Sequence, residues 1–163
     1  MAVYGDSNII QMKIVEVKTL ASRSSSSWGE VHSNYRASIT PKRSDSKILI
    51  TFFLTMSSNQ EHRLQHYLIR NVSASSYISQ GSSSSGRDQC TAASRGSHNF
   101  DNAENISISG WVDAGSTSSR TYGLWHKSHS GNQSNFNHSQ TSGTSGVHWT
   151  STMIIQLLEM EDI

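Results

Sequence analysis

Cysteine, proline and charge are all scarce in this chain, and each scarcity closes off a class of protein. The single cysteine, Cys90, excludes an intrachain disulfide and has no second thiol for a redox pair or a thiolate metal site, so it reads as a bystander. Charged residues are 15% of the 163, the formal net charge is +1, and Lys and Arg are scattered. Such a chain has no global field to draw in nucleic acid or an acidic membrane, and neither partner is implied. No apolar run reaches the ~18 residues that a membrane helix requires. The start, Met1-Ala2-Val3-Tyr4-Gly5-Asp6, has neither the basic nor the apolar region of a secretion signal. The expectation is a soluble protein made in a cytoplasm, without membrane insertion.

What the chain has in excess is serine, 34 residues or about a fifth of the total. Serine competes for backbone hydrogen bonds and prefers turns and caps, so long helices are disfavoured and all-β is the first expectation. The hydrophobic share of 34% suits one domain with a modest core. The densest apolar element comes last, Met153-Ile154-Ile155-Gln156-Leu157-Leu158. An element of that kind is no frayed tail, and the fold should stay incomplete until it is paired.

Alternation places the other strands. Residues 9–20 carry apolar Ile10, Met12 and Ile14 and then switch parity to Val15 and Val17, which a bulge or two-sided burial explains. Residues 31–39 alternate with odd positions inward, as one half-exposed strand. Residues 48–56, Ile-Leu-Ile-Thr-Phe-Phe-Leu-Thr-Met, are apolar enough for a central strand covered on both faces. Residues 61–71 read as helix or strand, with strand favoured, since His62, Leu64, His66 and Leu68 share one strand face. Residues 105–113 and 120–126 read as a hairpin across 114–119. Polar tracts at 73–99, centred on Gly81-Ser82-Ser83-Ser84-Ser85-Gly86, and at 128–146 read as exposed loops. The sum is an antiparallel β-sandwich or jelly roll of seven or eight strands. Residues 9–163 form the domain, and residues 1–8 a short segment for docking or attachment.

Chemistry-bearing constellations are thin. His62 and His66 stand i,i+4, suited to one ion on a helix but ~13 Å apart on a strand. No acidic third ligand joins them, so no metal or cofactor is expected. Around a threefold axis, His126 or His148 would ring an ion in triplicate. No Gly-x-Ser-x-Gly elbow sits between strand and helix, and the 12 acidic residues are dispersed, so neither a hydrolase triad nor a carboxylate pair is supported and no enzyme is expected. Trp28, Trp111, Trp125 and Trp149 all lie in or beside expected strands, favouring core or subunit interface over sugar stacking. Nearer the polar loops, Tyr77, Arg87, Asp88, Asn132 and Phe136 are the candidate ligand contacts.

Three segments in order resemble a family of bacteriophage virion proteins, found mainly as C-terminal domains of tail fibres in marine and cyanobacterial phages. Ser38-Ile39-Thr40-Pro41 with Ser44-Asp45-Ser46-Lys47-Ile48-Leu49-Ile50 is similar to that family's "sITP…SSSKILI" strand-turn-strand. Gly110-Trp111-Val112-Asp113-Ala114-Gly115 through Ser119-Arg120-Thr121-Tyr122-Gly123-Leu124 resembles its "…D…pgt…TYkv" segment. Ser151-Thr152-Met153-Ile154-Ile155-Gln156-Leu157-Leu158-Glu159-Met160 resembles its "ST-I-LMEI" ending. The resemblance implies β-sandwich heads assembled as homotrimers on a virion put together in the host cytoplasm. Their partners are other tail or capsid proteins and a host-surface glycan or protein, bound without catalysis. With few residues before the first strand and no stalk, the expectation is a short tail-tip or fibre subunit. A capsid decoration or collar protein, and a polysaccharide depolymerase or free-standing carbohydrate-binding module, are the alternatives.

Overall fold

Period-two alternation without helical punctuation should yield sheets and nothing else, and it does. The computed structural model describes residues 8–58, 64–83, 87–95, 103–139 and 149–161. Among these the chain is all-β, twelve strands in two antiparallel sheets with no helix. In chain order the strands are β1 (Ile9–Val17), β2 (Ala21–Ser24), β3 (Gly29–Glu30), β4 (Arg36–Ile39), β5 (Lys47–Ser58), β6 (Leu64–Asn71), β7 (Ser76–Ile78), β8 (Ala92–Arg95), β9 (Glu104–Asp113), β10 (Arg120–Ser128), β11 (Gln133–Phe136) and β12 (Met153–Met160).

Short strands share lanes. In the first sheet β5 has β9 on one side; on the other, β12 pairs with its first half and β11 with its end. Outside these lie β1, against β12, and β2, against β11. In the second sheet β10 runs between β6 and a lane shared by β3 and β4, while β7 and β8 share the lane beyond β6. Twelve strands, more than the seven or eight expected, thus fill four lanes per sheet.

One apolar cluster draws on both sheets: Ile48, Ile50, Phe52, Leu54 and Met56 of β5 and Ile155 and Leu157 of β12 meet Tyr67, Ile69, Tyr122 and Leu124 of the second sheet. Each such side chain contributes about 1.5–3 kcal/mol by leaving water. The C-terminal strand takes an interior lane, between β1 and β5. Its buried Glu159 carboxylate accepts hydrogen bonds from the backbone N–H groups of Lys42 and Arg43 (both 3.0 Å), Ser46 Oγ (2.7 Å) and Gln11 Nε2 (2.5 Å). Burial opposes its ionisation, but those four donors outweigh burial and hold its pKa below the usual carboxylate range. The carboxylate thereby ties the 40–46 turn to both ends of the chain.

The interior is polar at the end where β6 begins and β10 finishes. The neutral His126 ring donates from Nε2 to Gln65 Oε1 at 2.8 Å, and Ser134 Oγ donates to the same oxygen at 2.9 Å. Burial first, then the Arg23 charge and the nearby His66, push the His126 pKa down to about 3. Pressed against Phe136 and Tyr67, this ring lies between the sheets and cannot ring an ion on an outer axis. His62 and His148 lie outside the described residues, as does the 1–7 part of the docking segment.

Several expectations are corrected. The parity switch in β1 is no bulge, since the register is unbroken from Gln11 to Val17 and the irregularity sits at Ile9 and Gln11; β1 simply carries apolar side chains on both faces. Residues 31–39 are not one strand, because Tyr35 N–H donates to His32 O and Asn34 N–H to His32 Nδ1, folding a turn between β3 and β4. The outer face of β5 is covered only in part, with Thr51 buried but Phe53 43% exposed. The expected hairpin is absent: β9 pairs with β5, whereas β10, buried along most of its length, takes an interior lane of the opposite sheet. The polar tracts also hold β7, β8 and β11; Ser94 of β8 shares a hydrogen bond with the Tyr67 hydroxyl (3.2 Å), and Ser134 of β11 is buried in an interior lane.

Candidate functional site

Even-numbered residues of β6 and odd-numbered residues of β10 point away from the core, so the register alone assembles the second sheet's outer face. Across the four lanes, Arg36 of β4, Gly123 of β10, Arg70 of β6 and Tyr77 of β7 stand directly opposite one another. Beside that row lie Glu30 of β3, Trp125 and Leu68, also opposed.

Gly123 shapes this surface. A Cβ there would stand 2.9 Å from the indole ring of Trp125, which leans into the vacant space. The row therefore alternates cation and aromatic ring. Arg36 is held by Glu30 through two hydrogen bonds of 2.5 and 2.6 Å. The Arg70 guanidinium carbon lies 5.0 Å from the Trp125 ring centroid and 5.5 Å from that of Tyr77, within cation–π range of both. Trp125 is only 8% exposed and Leu68 is fully covered, so the layer is packed, while Tyr77 stays 40% exposed.

Two strand positions away, Lys127 opposes His66, and Asp88, from the segment ahead of β8, reaches both. Lys127 Nζ donates to Asp88 Oδ1 at 2.6 Å, and His66 Nδ1 lies 3.2 Å from Asp88 Oδ2 without hydrogen-bond geometry. The Lys127 hydrogen bond is the main reason the Asp88 carboxyl lies below its usual range. Burial lowers the pKa of His66, with Asp88 opposing, which leaves the ring neutral and Lys127 as the partner cation. Trp28 flanks the group, its ring 6.4 Å from that of His66.

Of the residues singled out from sequence, Tyr77 and Asp88 come to this one face, at its two ends. Arg87 is exposed beside Asp88. Asn132 lies apart, its N–H donating to Ser128 Oγ at 3.0 Å in the turn after β10. Phe136 is corrected: its ring is fully buried against Tyr35 and His126, closed to any external ligand, because β11 continues the lane of β12 and points it inward. Of the tryptophans, expected in the core or at a subunit interface, none joins the core cluster; Trp125 is buried on the second sheet's outer face and Trp111 is 42% exposed on the first sheet's. Sequence reasoning passed over Arg70, Trp125, Lys127 and His66 as a group; the shared face of His66 and Leu68 was the signal, and Arg70 continues it.

Nothing here resembles an activated nucleophile. Burial, then the Asp88 charge, push the Cys90 thiol up, away from thiolate formation. Among the described residues no three His, Cys, Asp or Glu side chains converge as a metal site would need. The face offers fixed rings and oriented donors.

The first sheet's outer face differs. One row crosses all four lanes without a polar residue: Met12, Leu158, Leu49 and Trp111. Beyond it come Ile14, Gln156, Thr51 and Ser109, then Glu16, Ile154, Phe53 and Ser107. Met12 and Ile14 are each 56% exposed and Phe53 43%. A shallow groove of about 300 Å³ runs along Phe53, Ile106, Thr152 and Ile154, and a second, sharing Thr152, continues to Leu20. The charges on this face sit at its corners in pairs, Glu16 with Lys18 (3.8 Å) and Lys47 with Asp113 (2.8 Å).

No protein-family model and no curated protein matches the chain.

Proposed function

We propose that this protein is a phage virion component, tail-fibre-like, that assembles as a homotrimer and attaches to the host surface by binding without turnover. The lane order is the observation that carries the reading. One sheet runs β1/β2, β11/β12, β5, β9 and the other β3/β4, β10, β6, β7/β8, with the chain passing between sheets at each step from lane to lane except from β6 to β7. That is the order of a double-sheet jelly roll, an architecture of viral capsid and lectin domains. The ordered similarity of three segments to phage fibre heads adds to it.

The two outer faces suit the two tasks. The first sheet's face is apolar and its corner charges are already paired, so three copies can turn it toward a common threefold axis without repulsion, and a charged partner gains nothing there. Threefold display of the second sheet's face raises weak contacts with a host glycan or protein to useful avidity.

Light scattering on the purified protein tests assembly: a native mass near three times the 18.0 kDa chain mass is expected, and a clean monomer overturns the trimer. Incubation with host polysaccharide tests turnover. Unchanged reducing ends are expected, and their release would make the protein a depolymerase.

A further inference from the structure

We infer that Arg70, clamped between Trp125 and Tyr77, is an anion subsite that takes the carboxylate or sulfate of an acidic saccharide. The inference rests on the attachment reading and names its ligand class. Five of the other cations of the described chain have a carboxylate within ion-pair distance: Lys18 with Glu16, Arg36 with Glu30, Arg43 with Asp45 and Glu161, Lys47 with Asp113, and Lys127 with Asp88. Arg70 has none among the described residues. Its buried Nε also lacks an acceptor, so the group's donors are unspent inside the protein.

What holds Arg70 in place is aromatic. Rings 5.0 and 5.5 Å from the guanidinium carbon restrain a planar fork whose geometry matches a carboxylate or sulfate edge. Partial burial strengthens such a contact over one in open water, and the side-chain entropy of fixing an arginine has already been lost on folding. A bare anion uses only the guanidinium. A saccharide uses more, because the half-exposed Tyr77 ring offers an apolar platform for the face of a pyranose whose charge sits on its rim. Gly123 completes the arrangement, since any larger residue would displace the Trp125 ring from beside the cation.

The test is calorimetric titration with hexagalacturonate and a chondroitin sulfate hexasaccharide as acidic probes, maltohexaose as the neutral one, and sodium acetate and sulfate as free anions. Wild-type protein is expected to bind at least one acidic hexasaccharide about tenfold or more tighter than maltohexaose and than either free anion. Arg70→Gln should weaken that binding by about 10- to 100-fold, the range for losing a hydrogen bond to a charged group. Arg70→Lys should recover part of it, because charge returns without the planar fork. Unchanged native mass and near-ultraviolet circular dichroism show that the variants fold. Should Arg70→Gln fail to fold, Tyr77→Ala removes the exposed ring alone and is expected to weaken acidic-saccharide binding. Equal binding of neutral and acidic probes, full retention by a folded Arg70→Gln, or no acidic saccharide bound by wild type at millimolar concentration overturns the subsite. A trimer that attaches to host cells yet binds none of these probes would overturn the subsite alone; a monomer, or a protein that releases reducing ends, would overturn the attachment reading whatever the titration gives.

Discussion

The two sheets bury the same kind of core and turn opposite faces to solvent. Inward, both present large apolar or tyrosyl side chains, Phe52 and Ile155 from one and Tyr67 and Leu124 from the other. Outward, the first sheet leaves Met12, Ile14, Phe53 and Trp111 open, while the second covers Leu68 and locks Arg36, Trp125, Arg70 and Tyr77 into one row. A sheet face is free to evolve apart from the core it backs, because successive side chains point to opposite sides. In this protein one outer face is apolar and electrically neutral, and the other is built from oriented cations and rings.

The largest expected effect falls on the open face. Phe53→Asp puts a charge beside Ile154 on the open face without touching the core, so sedimentation should show the proposed trimer reduced to 18.0 kDa monomers while the melting temperature moves by only a few degrees. If that variant remains fully assembled, the contrast between the faces is not one between assembly and recognition.

Next comes the interior that both faces share. His126 has a folded-state pKa of about 3 against an ordinary value of 6.5, so the folded form disfavours the proton. Its contribution is fully present above pH 6.5 and is lost as pH falls from there toward 3, at about 1.4 kcal/mol per pH unit. Urea midpoints at pH 7 and pH 5 should differ accordingly, and His126→Phe should flatten the difference. An unchanged slope in that variant would assign the acid sensitivity to other groups.

The smallest effect sharpens the ordered face. Gly123→Ala places a Cβ 2.9 Å from the Trp125 ring, which must shift, for a cost of about 1–2 kcal/mol. Movement of the indole should appear as a change in tryptophan fluorescence while the native mass is unchanged. A variant with wild-type fluorescence would mean that the ring does not depend on the glycine.

Much of this fold was legible in the chain, because period two is a local signal. The all-β class, the central place of β5 and the paired terminal strand all follow from alternation and composition. Lane sharing was not legible: β11 and β12 are separated by 16 residues yet sit along the same strand, and no local pattern in Ser134, Asn135 or Asn137 announces that their neighbour is β5. The apparent hairpin of β9 and β10 misled for a related reason, since a short connection fits a crossing between sheets as well as a turn within one. At the candidate site, Tyr77 and Asp88 were found by composition near loops, whereas Arg70 and Trp125 needed the register. Phe136 misled because a polar neighbourhood in sequence became a buried one once β11 was paired.

The position of β12 has a consequence in time. Asn8 and Glu161, 153 residues apart, are hydrogen-bonded neighbours, and β12 pairs on one side with β1 and on the other with β5. While the chain is being synthesised, the slot between them stays vacant until residues 153–160 emerge, and the inner row of Ile48, Ile50 and Phe52 waits half-covered beside it. Closing so large a loop is slow and leaves unpaired strand edges exposed meanwhile. The serine-rich, weakly apolar character of the earlier connecting segments then has a kinetic role, as stretches that do not stick to one another during the wait.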